Sequence, residues 1–175
     1  MDREQDILFF FLTSHGSKEH ELSLNHTAMP LRGLPAAQLG ELLRESGIKW
    51  KVVVVSACYS GGFVESLQDE GTLVITAARR DRRSFGCADE NEFTYFGRAF
   101  FKEALPKAGS FQQAFKTAER LVGEWESKHG PDAAKAAGNW AGPVTEFNSL
   151  PQIHSAKAIE AHLQRWWAQL PVSRK

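Results

Sequence analysis

The sequence predicts an α/β domain whose mostly parallel sheet lies between two layers of helix, a three-layer sandwich, and three observations carry that prediction. Val52 to Val55 is an unbroken run of four valines, the pattern of a strand buried on both faces rather than of one with a wet side. Ile7 to Thr13, Ile-Leu-Phe-Phe-Phe-Leu-Thr, is a second such run. Between them Leu39, Leu42 and Leu43 recur at helical spacing, so strand, helix and strand form a crossover unit. Such units close right-handed and make their two strands parallel.

Taken in order, the Ile7 strand ends in Ser14, His15 and Gly16. From Glu19 to Leu31 polar and apolar residues alternate around Asn25, which predicts a small surface hairpin. His20 and His26 fall on it and read as ordinary surface histidines. No cysteine or carboxylate pair nearby completes a zinc set with them, so no metal is expected. Pro35 opens the crossover helix, where proline is favoured, and Gly47 ends it. The valine strand gives way to Cys58, Ser60, Gly61 and Gly62, followed by Phe63, Val64 and Leu67 at helix-like spacing. Cys58 therefore sits on a strand-to-helix turn, where open α/β sheets place their chemistry. The free NH groups of a helix start also favour the nucleophilic thiolate.

Thr72 to Ala77 predicts a third buried strand. Arg79 to Arg83, Arg-Arg-Asp-Arg-Arg, is the only dense charge run. It is short, contains Asp81 and lacks interleaved aromatics, so it reads as a solvated loop beside the site rather than a nucleic-acid platform. Phe93, Phe96, Phe100, Phe101, Ala104 and Leu105 mark one helical core stripe. Phe111, Ala114, Phe115, Ala118, Leu121, Val122 and Trp125 mark the next. Residues His129 to Gly142, rich in alanine and glycine, read as a loop. Ile159, Leu163, Trp166, Trp167 and Leu170 mark a closing helix.

At 175 residues the chain has the length of one domain that buries its core without disulfides or metal. It carries 21 basic and 21 acidic residues, and such a balance provides no global field for nucleic acid or a membrane surface. The two cysteines, Cys58 and Cys87, make no disulfide framework and suit a reducing compartment without excluding export. No apolar stretch approaches the roughly 20 residues of a membrane span. The acidic start Met-Asp-Arg-Glu-Gln-Asp is unlike a signal peptide. The chain reads as soluble, with its compartment open.

A lone cysteine more often packs than reacts. Here two buried strands stop at a histidine and at a cysteine. If they are parallel neighbours about 4.8 Å apart, both side chains project from one sheet edge. Amide cleavage needs a thiolate, a base that also serves as acid, and NH donors for the oxyanion. Cys58 and His15 fill the first roles; the NH groups of Gly16 and Cys58 make a reasonable oxyanion hole. A cysteine phosphatase would need an arginine six residues after the nucleophile, where Val64 stands. A cysteine α/β-hydrolase would want small flanks, usually glycine, where Ser56 and Ser60 stand, and a downstream histidine; it stays a weak alternative. A catalytically silent binding module is the other, since fold alone does not guarantee activity.

The His15-Gly16 pair closing one strand and Ser56-Ala57-Cys58-Tyr59-Ser60-Gly61 closing the next resemble the caspase-like cysteine peptidases, most nearly the legumain-like peptidases (peptidase C13) and their bacterial relatives. Thr72 to Ala78 resembles the following strand. Ser84-Phe85-Gly86-Cys87 and Thr94-Tyr95-Phe96-Gly97 resemble the wall of the legumain specificity pocket. The likeness runs in register over about residues 7 to 105, and Asn148 to Gln152 resembles a further loop of the bacterial branch. It implies a caspase-like thiol endopeptidase acting on peptides or proteins, without metal, organic cofactor or nucleic acid.

It assigns Cys58, His15 and Gly16 the roles just derived. Family members carry strand-helix units before the histidine strand, so the resemblance implies an amino-terminally incomplete domain. An apolar edge on the Ile7 strand would then be exposed, an association hazard. The asparagine that orients the imidazole in legumains comes from that earlier part, which leaves a dyad here. Ser56 and Arg98 stand where legumains are acidic, and Ser84 matches a retained serine. The pocket has thus lost negative charge and gained a cation, which predicts cleavage after aspartate or asparagine. Cys87 is expected to be dispensable, and oligomeric state and activation are left open.

Overall fold

The valine run becomes the centre of the sheet because it is buried on both sides. In the computed structural model, which describes residues 1–25, 33–86, 92–136 and 148–170, Trp50–Ser56 is strand β4, with β1 (Ile7–Thr13), β2 (Glu21–Leu22) and β3 (Leu34–Pro35) before it. Strand β5 is Thr72–Thr76 and β6 is Gln152–Ser155. The main sheet has the order β1-β4-β5-β6. The pairs β1·β4 and β4·β5 are parallel, and only β6 is antiparallel, on β5. The mostly parallel α/β sandwich expected from the sequence is the observed one.

Alternation along β4 divides the core into two layers. Val52 and Val54 point to one side, where they meet Leu73, Ile75, Phe96, Phe100, Phe115 and Ile159. Val53 and Val55 point to the other, against Leu39, Leu43, Phe63, Leu67 and Val74. All four valines are fully buried, and each contributes about 1.5–3 kcal/mol by leaving water.

The second layer is helix α1 (Ala36–Glu45) with the short α2 (Val64–Leu67). Pro35 lies one residue before the first helical position, at the N-cap. The first layer holds the turn α3 (Tyr95–Gly97), a wider π-helical segment Arg98–Ala104, the long α4 (Phe111–Ala136) and α5 (Lys157–Gln169).

Three elements differ from expectation. The hairpin expected within Glu19 to Leu31 returns further on, with β2 paired to β3 at Leu34–Pro35; residues 26–32 lie outside the described residues. Helix α4 continues to Ala136 where a loop was read from His129; Ala133, Ala134 and Ala136, of the strongest helix-forming type, carry the backbone on. Strand β6 had no counterpart in the sequence reading. Its four residues are all partly exposed, so they show neither a solid apolar run nor an alternation.

Strand β1 is the outer strand of the sheet, and on its first-layer face Phe9 and Phe11 are 41% and 39% exposed. They rest edge-on against Phe101, with ring centroids at 6.2 and 4.6 Å. No helix among the described residues is long and apolar enough to cross a membrane.

Candidate active site

Parallel pairing sets the site. Thr13 faces Ser56 across the ladder, and Ser14 N donates to Ser56 O at 3.3 Å. Two residues further on, the chains present His15 and Cys58 at the same carboxyl edge. The following turn brings Gly16 directly onto the Cys58 backbone: a Cβ there would lie 2.1 Å from the Cys58 carbonyl oxygen and 3.2 Å from the Ala57 Cβ. Only glycine allows that approach without displacement.

The loop after β1 is anchored by Ser17 N to Glu21 O at 3.0 Å and Ser23 N to His15 O at 2.9 Å. These bonds close the bridge of Gly16 with Leu22 but do not use the Gly16 NH. Among the described residues, neither that NH nor the Cys58 NH donates to a protein acceptor.

Cys58 is half-buried. Its Sγ accepts from Ser84 N at 3.3 Å and lies 3.5 Å from Ser84 O. Ser84, 7% exposed, thus meets the thiol through its backbone. The His15 ring is exposed and makes no hydrogen bond to Cys58. It opens on a cleft of about 330 Å³ shared with Gly16, Ser17, Glu21, Leu22, Ser23, Leu24 and Gly33.

Tyr59 has the left-handed φ of 57°, a conformation that costs a non-glycine residue energy and persists where surroundings enforce it. They do so at each of its polar groups. Its NH donates to Arg82 O at 2.7 Å, its carbonyl faces His20 Nδ1 at 3.1 Å, and its hydroxyl accepts from Arg83 Nε at 3.3 Å.

His20 is therefore more than a surface histidine. Its ring lies against Gly62, where a Cβ would stand 2.1 Å from the imidazole. It props the turn that follows Cys58. The sequence signal was faint: a histidine five residues after His15 and a second glycine after Gly61 do not announce each other. The Arg79 to Arg83 run lies beside the site, and through Arg82 and Arg83 it holds Tyr59.

The residues expected to read the substrate each have partners within the chain. Ser56 is 2% exposed and its Oγ lies 3.2 Å from Thr94 Oγ1; Thr94 also caps α3, accepting from Gly97 N at 3.0 Å. Arg98 N donates to Thr94 O at 2.9 Å. Its Nε is 3.8 Å from Glu103 Oε1 and its guanidinium stands 5.3 Å from the centre of the Trp125 ring. Cys87 and His26 lie outside the described residues.

One residue near the site was missed. Glu126 on α4 is 2% exposed and its Oε2 accepts from Ser149 N at 3.0 Å. Ser149 O in turn accepts from Arg79 N at 2.8 Å. Burial pushes the Glu126 carboxyl above the ordinary glutamate range, against the lowering effect of the Ser149 hydrogen bond. Spacing could have found it, since Ala118, Val122 and Glu126 recur every four residues and share a helix face.

A model of the peptidase C13 family matches residues 1–140. No curated protein matches the chain significantly. The matched span covers both strand ends and the cysteine turn that the geometry brings together. The chain belongs to the peptidase C13 family and is a cysteine-type peptidase, a hydrolase that acts on protein substrates.

Proposed function

We propose that the chain is an endopeptidase that works through a dyad of Cys58 and His15. The carrying observation is the parallel register of β1 on β4, which delivers both residues to one edge and Gly16 onto the Cys58 backbone. The Cys58 thiolate adds to the scissile carbonyl, and the carbonyl electrons move onto oxygen. That oxyanion accepts from the NH groups of Gly16 and Cys58, whose lack of acceptors among the described residues supports this role, because preorganised donors need no reorganisation as charge develops.

The tetrahedral adduct then expels the amine, which takes a proton from His15 and leaves a thioester. Water, deprotonated by His15, adds to the thioester, and Cys58 departs as thiolate. His15 is exposed and unbonded before substrate arrives, and catalytic hydrogen bonds of this kind tighten in the substrate complex.

Ser56, Ser84 and Arg98 are proposed to shape the pocket for the residue before the cut, with preference for aspartate or asparagine. Turnover of an internally quenched peptide library tests the whole reading. Internal cleavage that depends on Cys58 and His15 supports it, and cleavage that survives Cys58→Ala overturns it.

A further inference from the structure

A cleft of about 690 Å³ crosses the carboxyl edge of the sheet beside the nucleophile, lined by Lys18, His20, Tyr59, Arg79, Arg80, Asp81 and Gln152. The lining contains three cations and one carboxylate. Asp81 is already satisfied: Arg79 Nε and Nη2 donate to its two oxygens at 2.6 and 2.8 Å, and that guanidinium holds the carboxyl down to about 2. Among the described residues Lys18 and Arg80 have neither an ion pair nor a side-chain hydrogen bond. Two unpaired cations face a concave surface with a tyrosine ring and an amide.

The side of the nucleophile on which this cleft lies decides what it would receive. Ser84 holds the thiol on one flank. Lys18 and His20 come from the loop that carries His15, and Tyr59 follows Cys58 directly. To protonate the leaving amine His15 must face the segment beyond the scissile bond. His15 opens on the smaller cleft with Gly16 and Ser17, and the same loop continues through Lys18 and His20 into this one, so that segment departs over the loop toward it.

We propose that the cleft is a subsite for an acidic side chain on the leaving-group side of the scissile bond, with Lys18 and Arg80 as its specificity-determining residues. The inference rests on the dyad reading above. A carboxylate entering there exchanges water for two cationic donors, a charge-assisted contact that is screened by salt.

The test reads binding and cleavage separately. Fluorescent peptides that differ only by Glu, Gln or Lys at the first or second position after the intended cut are titrated into the Cys58→Ala protein. The Glu peptides are expected to bind about fivefold more tightly than the Gln peptides at low salt, as two partly exposed ion pairs give. The advantage should vanish in Lys18→Ala/Arg80→Ala on the same background and invert toward Lys in Lys18→Glu/Arg80→Glu. Equal binding of Glu and Gln peptides, or an advantage that survives both variants, overturns the subsite whatever the enzyme cleaves. Mapping of cut sites by the otherwise wild-type chain gives the second arm: acidic residues are expected after the cut, and their enrichment only before it overturns the proposal. Cleavage that persists in Cys58→Ala overturns the dyad instead and leaves the binding result to stand by itself.

Discussion

Gly16 lies so close to Cys58 that a methyl group on it would stand 2.1 Å from the Cys58 carbonyl oxygen. The contact is backbone on backbone, so no side chain can swing away to relieve it. Gly16→Ala is expected to cost about 1–3 kcal/mol of stability, as overpacking does. Displacing the NH from the oxyanion should lower kcat by about a hundredfold or more. Denaturant unfolding and peptide turnover measure the two, and normal kcat in the Ala variant would remove Gly16 from the oxyanion hole.

Cys58→Ala should abolish turnover. His15→Ala should lower it by about a thousandfold, within the range of a lost general acid and base. Because the His15 ring is exposed, its unfolding midpoint should remain that of the parent. A large stability loss in His15→Ala would instead mark the residue as structural.

His20 provides the contrast. It lies against Gly62 and faces the Tyr59 carbonyl, so His20→Ala should lower stability by about 1 kcal/mol, the worth of one hydrogen bond. Turnover should fall much less than in His15→Ala. If His20→Ala is the more inactive of the two while remaining folded, the dyad has been assigned to the wrong histidine.

Glu126 gives stability a pH dependence. Its carboxyl is raised in the folded chain, first by burial, so the folded state binds the proton more tightly than the unfolded state. Its contribution is fully present below the unfolded value and is lost as pH rises through the raised folded one. Glu126→Gln can still accept from Ser149 N and never ionises. Across that window the variant should gain on the parent as pH increases. Urea midpoints measured at a series of pH values check this, and parallel curves for the two proteins would contradict it.

Arg98 tests the specificity reading. Its guanidinium lies between Glu103 and the Trp125 ring, partners that a substrate carboxylate would have to share. Arg98→Ala should weaken preference for aspartate before the cut while leaving that for asparagine. An unchanged profile would exclude Arg98 from recognition, and a strong parental preference for lysine or arginine would reject the acidic pocket altogether.

Much of the fold was legible because the local signals are strong. Four consecutive valines cannot form a half-wet strand, and Ile7 to Thr13 cannot lie in a loop, so two central strands and the helix between them follow from the order of residues. The placing of His15 and Cys58 at one edge follows too, since a parallel crossover sends both strands the same way. Sequence also determined that the residue after His15 has no side chain. It could not determine why, because the Cys58 carbonyl that excludes a methyl group there is 42 positions away in the chain.

Tertiary structure alone decided the rest, for reasons that lie in non-local contacts. His20 looked solvated because its partners, Tyr59 and Gly62, come from a different strand-to-helix turn. Glu126 looked like an ordinary helix carboxylate until α4 packed it over the segment before β6 and gave it the Ser149 NH. Strand β6 carries too little burial to mark itself and exists by pairing with β5. The cleft between Lys18 and Arg80 is assembled from the ends of four strands. Each cation is an ordinary surface residue in sequence, and only the sheet edge places both in the lining of one cleft.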